Sequence, residues 1–292
     1  MKYARLEEIL KNASREHYAI GHFNISTLEL LQGVVEAVGK TKTPVMIGLS
    51  EGERKHIGLE RAACLVKTYE SELSVPLFLN ADHSKSVESA CAAADAGFDS
   101  IHIDASEHPY EKNVEMTRAV ALYVQAISPD ISVEGELGFV PGESKIGDHE
   151  IKINESLYTN PDAVADFIEK TGINRLAIFV GNVHGLNKNE PNLDIERIRQ
   201  IRKNAPESVA LVLHAGSGIP REDIDRAIIA GIANVHISTE LRLAFFDGVR
   251  HALVENPKET TPYKFFQNSV HCVSDIVEEK IIAFRRGYEV KF

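Results

Sequence analysis

The stretch "LVLHAGSGIP" at residues 211–220 places one histidine between an apolar run and a glycine-rich turn. The apolar run begins at Val209 and is nearly continuous, as is typical of strands buried on both faces of a parallel sheet. His214 stands where this strand ends, and two glycines follow before an amphipathic stretch starts at Pro220. A buried strand, a polar turn and a helix in this order form the repeating unit of α/β folds.

The same unit recurs along the chain. Eight apolar runs lie at residues 18–24, 44–50, 75–82, 98–104, 130–136, 175–180, 209–215 and 232–238. Amphipathic stretches between them predict helices over 27–40, 58–73, 86–96, 111–126, 161–170, 194–204 and 220–230. This alternation over about 250 residues predicts an α/β fold, a (β/α)8 TIM barrel, with a doubly wound open sheet as the alternative. Residues 262–288 predict an extra C-terminal helix, and without an evident linker residues 1–292 are expected to form a single domain.

Composition excludes several classes of partner. The chain has 292 residues and a net charge of −11, and its basic residues are scattered. Nucleic acids and anionic membranes both need a positive surface, so we expect neither as a partner. The three cysteines, Cys64, Cys91 and Cys272, are far apart and odd in number, which indicates a reducing compartment. With no apolar stretch of signal or membrane-span length, the sequence predicts a cytoplasmic protein.

Polar residues follow the predicted strands where a barrel would gather them. In a TIM barrel the chemistry lies at the C-terminal ends of the strands, which converge on one mouth. His83, His184 and His214 all fall at such ends or in the loops that follow them. Three neutral imidazoles with one open position form a common catalytic zinc site, so we predict a zinc centre here. Each histidine taken alone would be read as an ordinary rim residue.

The small residues beside these histidines are suited to binding an anionic group of a ligand. "GNVHG" (181–185) and "HAGSG" (214–218) let the backbone approach a ligand closely, and a barrel phosphate often lies in the loops after strands 7 and 8. Because few basic residues lie nearby, we expect backbone amides and the hydroxyls of Ser217, Ser238 and Thr239 to bind it. The alternative is that these glycines only turn the chain.

A family resemblance covers residues 3 to 288. "NADHSKSVESACAAADAGFDSIHIDASEHPYEKNVEMT" (80–117), "SVEGELG" (132–138), "GNVHGL" (181–186), "PNLDIERI" (191–198), "LVLHAGSGIP" and "NVHISTEL" (234–241) resemble class II, metal-dependent ketose-bisphosphate aldolases. Members of that family cleave fructose 1,6-bisphosphate or tagatose 1,6-bisphosphate. The resemblance implies a TIM barrel, a divalent cation that is most often Zn²⁺, a sugar-phosphate substrate and a homodimer or homotetramer. The apolar segments at 244–246 and 263–266 would suit such an interface or would cover the barrel's own helices.

The resemblance also implies roles for individual residues. Asp82 matches the acid/base that exchanges a proton with the C4 hydroxyl, and Glu143 is a candidate acid/base from the loop after "ELG". The implied metal positions are His83, His184 and His214, with Asp104 and Glu136 as alternate or supporting sites. The implied substrate positions are Asn24, Ser50, Gly185, Gly216, Ser217, His236, Ser238 and Thr239. Gly185 and Gly216 match positions that flank a monovalent cation such as Na⁺ or K⁺.

Three features of the residues bear on this reading. Neighbouring side chains of a strand point to opposite sides, so Asp82 and His83 share a site only if the backbone turns there. None of the eight predicted strands carries a lysine, which argues against Schiff-base chemistry. His236 stands where the family usually has asparagine, and it would donate a hydrogen bond, add a metal ligand or close the pocket. The alternatives to an aldolase of this or another sugar phosphate are a barrel metal hydrolase and a non-catalytic sugar-phosphate-binding barrel.

Overall fold

Eight parallel strands close into a barrel in the computed structural model, which describes residues 3–146, 154–186 and 192–292. In order around the barrel they are β1 (Ile20–Asn24), β2 (Val45–Leu49), β3 (Leu77–Ser84), β4 (Ser100–Ile103), β5 (Ser132–Leu137), β7 (Arg175–Ile178), β9 (Ala210–Leu213) and β10 (Ile232–Ile237). Six of these strands lie inside the predicted runs, while β3 and β5 extend past the ends of theirs by two residues and by one residue. The closed parallel barrel confirms the TIM-barrel prediction. The closed order excludes the open sheet.

The described ranges contain eleven α-helices, most of them on the outside of the barrel. They are α1 (Leu6–Glu16), α2 (Leu28–Thr41), α3 (Glu51–Ile57), α4 (Leu59–Leu73), α5 (Val87–Asp95), α6 (Tyr110–Ile127), α7 (Val164–Thr171), α8 (Ile195–Asn204), α9 (Arg221–Ala230), α10 (Thr239–Glu255) and α11 (Pro262–Arg285). The extra C-terminal helix is confirmed as α11, which packs against α2 and α10. Within these ranges every helix is too short or too polar to span a lipid bilayer.

Some elements were not predicted from the sequence. Helix α3 has seven residues, and α10 carries exposed Phe246, Leu253 and Val254, so neither shows a clear one-sided apolar pattern. The helix predicted to begin at residue 161 starts as a 3-10 turn at Pro161–Ala163, and α7 follows it. Two short strands, β6 (Gly142–Ile146) and β8 (His184–Leu186), form a separate parallel pair above the barrel.

The two ends of the barrel differ in what covers them. At the N-terminal ends of the strands, α1 buries Leu6, Ile9 and Leu10 in a small apolar cluster that includes Met46 and Phe78. That end is therefore closed by hydrophobic packing. The opposite end remains accessible and receives the loops that carry the predicted site residues.

The inside of the barrel holds polar side chains where branched apolar residues are usual. Arg175 on β7 is only 1% exposed, and Glu134 beside it in the register of β5 and β7 is fully buried. The Arg175 Nη1 to Glu134 Oε2 distance is 2.9 Å, so the two buried charges are paired. Around them lie further buried polar side chains of the inner strand faces, which are His22, Asn80, Ser100, His102, Ser132 and Asn234. We call this set the barrel floor.

Candidate active site

The three histidines that the sequence placed at separate strand ends lie together at the open mouth. His83 is the seventh residue of β3, His184 begins β8, and His214 directly follows β9. The His83 ring centroid lies 5.3 Å from that of His184 and 4.7 Å from that of His214, and the other two rings are 6.4 Å apart. All three line one cleft.

The backbone turns sharply at His83 and at Ala215, the residue that follows His214. His83 has φ 47° and Ala215 has φ 55°, both in the left-handed region that residues other than glycine rarely adopt. The turn at His83 brings two consecutive side chains, those of Asp82 and His83, into the same cleft. The backbone turn that Asp82 and His83 need in order to share one site is therefore present.

Two carboxylates determine which nitrogens of His83 and His214 carry hydrogen. His83 Nδ1 lies 2.8 Å from Asp104 Oδ2, and His214 Nε2 lies 2.7 Å from Glu134 Oε1. An ionised carboxylate only accepts hydrogen bonds, so each of these ring nitrogens is the N–H donor. The remaining nitrogens, His83 Nε2 and His214 Nδ1, then point lone pairs at each other across 3.1 Å. Two facing acceptors at that distance fit a cation, and carboxylate-oriented imidazoles are the usual support of metal ligands.

Among the described residues, several groups of side chains could hold an ion. Their ligand atoms lie within 4.8 Å of one another, and the groups are Asp82–His83–His102–His214, His83–Asp104–Glu136, Glu134–His214–His236 and His22–Asp82–His236. His184 belongs to the same cleft but to none of these tighter groups. Burial lowers the pKa of His184 to about 3, so its imidazole is neutral and able to act as a ligand at neutral pH.

The carboxylates predicted as alternate metal positions support the histidines. Asp104 accepts from His83 and Lys85 through Oδ2, and from the Ser106 hydroxyl through Oδ1. Glu136 Oε2 lies 3.4 Å from His102 Nε2 and 4.0 Å from His83 Nδ1. Both acids therefore lie in contact distance of the predicted ligand set.

Asp82 is anchored through one carboxylate oxygen, and its other oxygen is buried and also lies 3.8 Å from His102 Nδ1. Asn24 Nδ2 donates to Asp82 Oδ2 at 2.9 Å, while Asp82 Oδ1 faces His236 Nδ1 at 3.5 Å. The carboxylate lines the cleft and is 5% exposed. An oriented, nearly buried carboxylate next to a metal-binding cluster is suited to proton transfer.

The predicted substrate residues divide into those that line the cleft and one that does not. Lining residues are Asn24, Ser50, Gly185, Ser217, His236, Ser238 and Thr239. Gly216 lies outside this set, and its N–H donates to His236 O at 2.9 Å. Ser217 Oγ accepts from the backbone N–H groups of Ser238 and Glu240. Glu143 was predicted as an acid/base, and its side chain lies outside the described residues.

Sequence reasoning missed two residues of the cleft region. Arg242 lines the cleft from the first turn of α10, and its Nη2 lies 2.8 Å from Glu53 Oε1. Buried Glu53 also accepts from Ser50 N at 2.7 Å and from Asn24 Nδ2 at 3.2 Å. Arg242 was detectable, because it stands one helical turn after Thr239. Glu53 gave only the weak signal of a capping box that begins at Ser50.

Comparisons with known proteins agree on one family. The family model described as "Fructose-bisphosphate aldolase class-II" matches residues 4–287. A fructose-bisphosphate aldolase of Geobacillus stearothermophilus is 38% identical over 267 residues, which cover 90% of each chain. A fructose-bisphosphate aldolase of Staphylococcus epidermidis is 34% identical over the full length of both chains. The crystal structure of the YdjI aldolase of Escherichia coli K12 superposes with a TM-score of 0.83 at 30% identity, covering 99% of this chain and 100% of that one.

Proposed function

This chain belongs to the class II fructose-bisphosphate aldolase family, and from that membership we propose that it cleaves fructose 1,6-bisphosphate with Zn²⁺ as its metal. The chain is a class II aldolase, a metal-dependent lyase that acts on a sugar phosphate. The products of the proposed reaction are dihydroxyacetone phosphate and glyceraldehyde 3-phosphate. Tagatose 1,6-bisphosphate, which differs at C4, is the second candidate, and another sugar phosphate is the third.

The observation that carries the proposal is the 3.1 Å distance between His83 Nε2 and His214 Nδ1, the two ring nitrogens that do not face a carboxylate. His83, His184 and His214 would hold the metal, with Asp104 and Glu136 as supporting or alternate contacts. A donor set of neutral imidazoles suits Zn²⁺. When bound, the ion supplies Lewis acidity that polarises the ketose carbonyl and stabilises the negative charge left by carbon–carbon cleavage.

Asp82 is the proposed acid/base. In the cleavage direction its carboxylate takes the proton of the C4 hydroxyl, the C4–O bond becomes a carbonyl, and the C3–C4 bond breaks. The electron pair of that bond moves toward the C2 carbonyl oxygen. Asn24 keeps Asp82 in place by donating to Oδ2, and Oδ1 has no hydrogen-bond partner among the described residues. Glu143 is the proposed second acid/base, acting on the three-carbon fragment.

The phosphate groups of the substrate would bind along the wall formed by the loops after β9 and β10. Ser217, Ser238 and Thr239 offer hydroxyls there, Gly185 offers its backbone, and Arg242 adds a guanidinium. The N-terminus of the 17-residue helix α10 also points partial positive charge at this wall. A monovalent cation beside Gly185 and Gly216 would complete the set.

The assembly and location of the protein belong to the same proposal. A homodimer or homotetramer, a cytoplasmic location and a single domain over residues 1–292 are predictions from the sequence. Within the chain, Phe245 packs on Phe266 with ring centroids 5.8 Å apart, whereas Phe246 and Tyr263 are exposed. The exposed pair is the part of these segments that an interface would use.

The proposal is tested by a screen of phosphorylated ketoses with metal analysis of the same sample. We expect triose phosphate release from fructose 1,6-bisphosphate, abolished by a chelator and restored by Zn²⁺. His214→Ala should lose bound metal and activity together, and Arg226→Ala, an exposed change on α9, serves as the control. Phosphate release without cleavage would instead indicate a hydrolase, and tight binding without turnover would indicate a non-catalytic barrel.

A further inference from the structure

Two buried imidazoles are stacked on each other, and one of them, His236, lines the cleft. The rings of His22 and His236 are 3.5 Å apart at an interplanar angle of 8°, and the two residues are paired in the register of β1 and β10. His22 is fully buried and His236 is 4% exposed. On the next strand Gly48 leaves room for the His22 ring, because a Cβ there would overlap that imidazole. Neither ring has an assigned chemical step in the proposed mechanism.

The hydrogen of His236 is placed by an asparagine of the barrel floor. Asn234 Nδ2 donates to the carbonyl oxygen of Ile20 at 2.8 Å, which fixes the orientation of the amide. Asn234 Oδ1 therefore faces His236 Nε2, at 3.0 Å, and accepts its hydrogen. Arg175 Nη1 lies 3.5 Å from the same Oδ1 and favours this orientation. The neutral His236 ring thus carries its lone pair on Nδ1.

His22 has the opposite tautomer, with its hydrogen on Nδ1, because a second asparagine amide donates to its Nε2. Asn80 Oδ1 accepts from the Ser100 hydroxyl at 2.6 Å and from Arg175 Nη2 at 3.2 Å. Asn80 Nδ2 therefore donates to His22 Nε2 at 3.0 Å, and the His22 hydrogen lies on Nδ1. Burial lowers the pKa of His22 to about 4, so the stack is not formed by two cations. One buried arginine thus orients both amides that determine the two tautomers.

The fixed tautomer of His236 places two acceptors side by side in the cleft wall. His236 Nδ1 and Asp82 Oδ1 are buried, lie 3.5 Å apart, and have no hydrogen-bond partner among the described residues. An ionised carboxylate oxygen and an imidazole lone pair cannot bond to each other, so each of these atoms needs a donor from elsewhere. Buried acceptors without donors are costly, so this pair favours a ligand that brings two hydroxyl hydrogens.

We propose that His236 is a specificity-determining residue that accepts, at Nδ1, a hydrogen bond from the substrate hydroxyl adjacent to the one held by Asp82. This inference rests on the proposed function, because it assumes that a polyhydroxylated sugar phosphate occupies the cleft. It assigns to His236 an acceptor role toward substrate. The Asn234 amide and Arg175 act through the imidazole and are positioning residues.

The tautomer is tested without any substrate. Long-range ¹H–¹⁵N correlation spectra of protein labelled at histidine, with the signal assigned by its loss in His236→Phe, should show hydrogen on Nε2 and none on Nδ1. Asn234→Asp keeps an acceptor opposite Nε2 and should preserve this pattern, whereas Asn234→Leu should not. Hydrogen on Nδ1 in the wild-type protein would overturn the proposal.

The role of His236 toward the substrate is tested by a double-mutant cycle, in which variants of His236 are combined with substrate analogues that lack one hydroxyl. For the wild type, removing the hydroxyl next to C4, in analogues deoxygenated at C3 or at C5, should lower kcat/KM by about 10-fold for one of the two, a factor typical of one hydrogen bond. In His236→Phe that factor should fall to about 1, while His236→Gln, which retains an acceptor oxygen, should recover part of it. An unchanged factor in His236→Phe would overturn the inference and leave the aldolase intact.

Two other outcomes are distinguishable from these. If His236 were a metal ligand, the visible spectrum of the cobalt-substituted protein would change in His236→Asn, and such a change would overturn the acceptor role. Absence of cleavage with every ketose phosphate would overturn the proposed function and the substrate role together. The tautomer spectra would still report the state of the barrel floor in that case.

Discussion

The mouth and the floor of this barrel both contain histidines, but they orient them by different means. At the mouth, Asp104 and Glu134 accept hydrogen bonds from ring N–H groups of His83 and His214. The other ring nitrogen of each histidine then points toward the other ring. At the floor, the amides of Asn80 and Asn234 orient His22 and His236. A negative charge behind an imidazole raises its basicity and suits a metal ligand, whereas a neutral amide only fixes the tautomer. The two proposed ligands His83 and His214 thus have a carboxylate behind the ring, whereas His22 and His236 have an amide.

Glu134 and Arg175 connect the two regions. Glu134 accepts from His214 through Oε1 and pairs with Arg175 through Oε2. Arg175 in turn donates to Ser132, Asn80 and Ser100 and approaches Asn234. A change at the floor therefore reaches the mouth through this one ion pair.

The largest effect is expected from the residue at the boundary of the two regions. Asp82→Ala should lower kcat by roughly 10²–10⁴, the range attributed to a positioned acid or base, while the metal stays bound. Steady-state kinetics with metal analysis of the same sample check both parts. Asn24→Ala, which removes the donor to Oδ2, should cause a smaller loss in kcat. Full turnover of Asp82→Ala at saturating substrate would contradict the assigned role.

The floor is tested next through its buried charge. Arg175→Met leaves Glu134 buried without its cation and should lower the free energy of unfolding by about 3–5 kcal/mol. The double variant Arg175→Met/Glu134→Leu removes both charges and should recover much of that stability, measured by chemical denaturation. It should not recover metal affinity, since His214 then lacks its acceptor. Equal stability of Arg175→Met and wild type would mean that the ion pair contributes nothing net.

Much of the fold and the mouth could be predicted from the sequence. The eight strands are short, apolar and separated by amphipathic stretches, and the barrel brings their carboxyl ends together, so His83, His184 and His214 could be grouped from sequence alone. The turn at His83 followed from strand geometry, because two adjacent side chains had to share one site.

The floor could not be predicted in this way. Arg175 begins a run that reads as an ordinary buried strand, and nothing in that run indicates that its cation meets Glu134 inside the barrel. Pairing across strands depends on register, which hydrophobic patterns define only coarsely. Helix α10 and Arg242 were missed because apolar residues are distributed around that helix.

A smaller effect, on metal affinity, tests whether the negative charge behind the His214 ring matters beyond fixing its tautomer. Glu134→Gln retains an acceptor for His214 Nε2 but removes the charge, and we expect metal affinity to fall about 10–100-fold, as is typical for changes behind a metal ligand. Glu107→Gln is the matched control, because Glu107 lies near the mouth, where its Oε1 is 3.4 Å from Lys85 Nζ, and it is not a proposed metal contact. Competition with a fluorescent chelator measures both affinities. Equal losses in the two variants would show that total charge, and not the bond to His214, determines metal affinity.

The smallest effect is expected at the rim of the mouth, where Arg242 lines the cleft. Its side chain is 42% exposed and paired with Glu53, so solvent screens its attraction for a phosphate. Arg242→Ala should raise KM for the bisphosphate by about 10-fold and leave kcat nearly unchanged, because the contact binds ground state and transition state alike. Arg226→Ala, a similarly exposed arginine on α9, should change neither parameter. A fall in kcat at constant KM would instead place Arg242 among the groups that stabilise the reacting atoms. The rim could then not be treated as a site that only binds substrate.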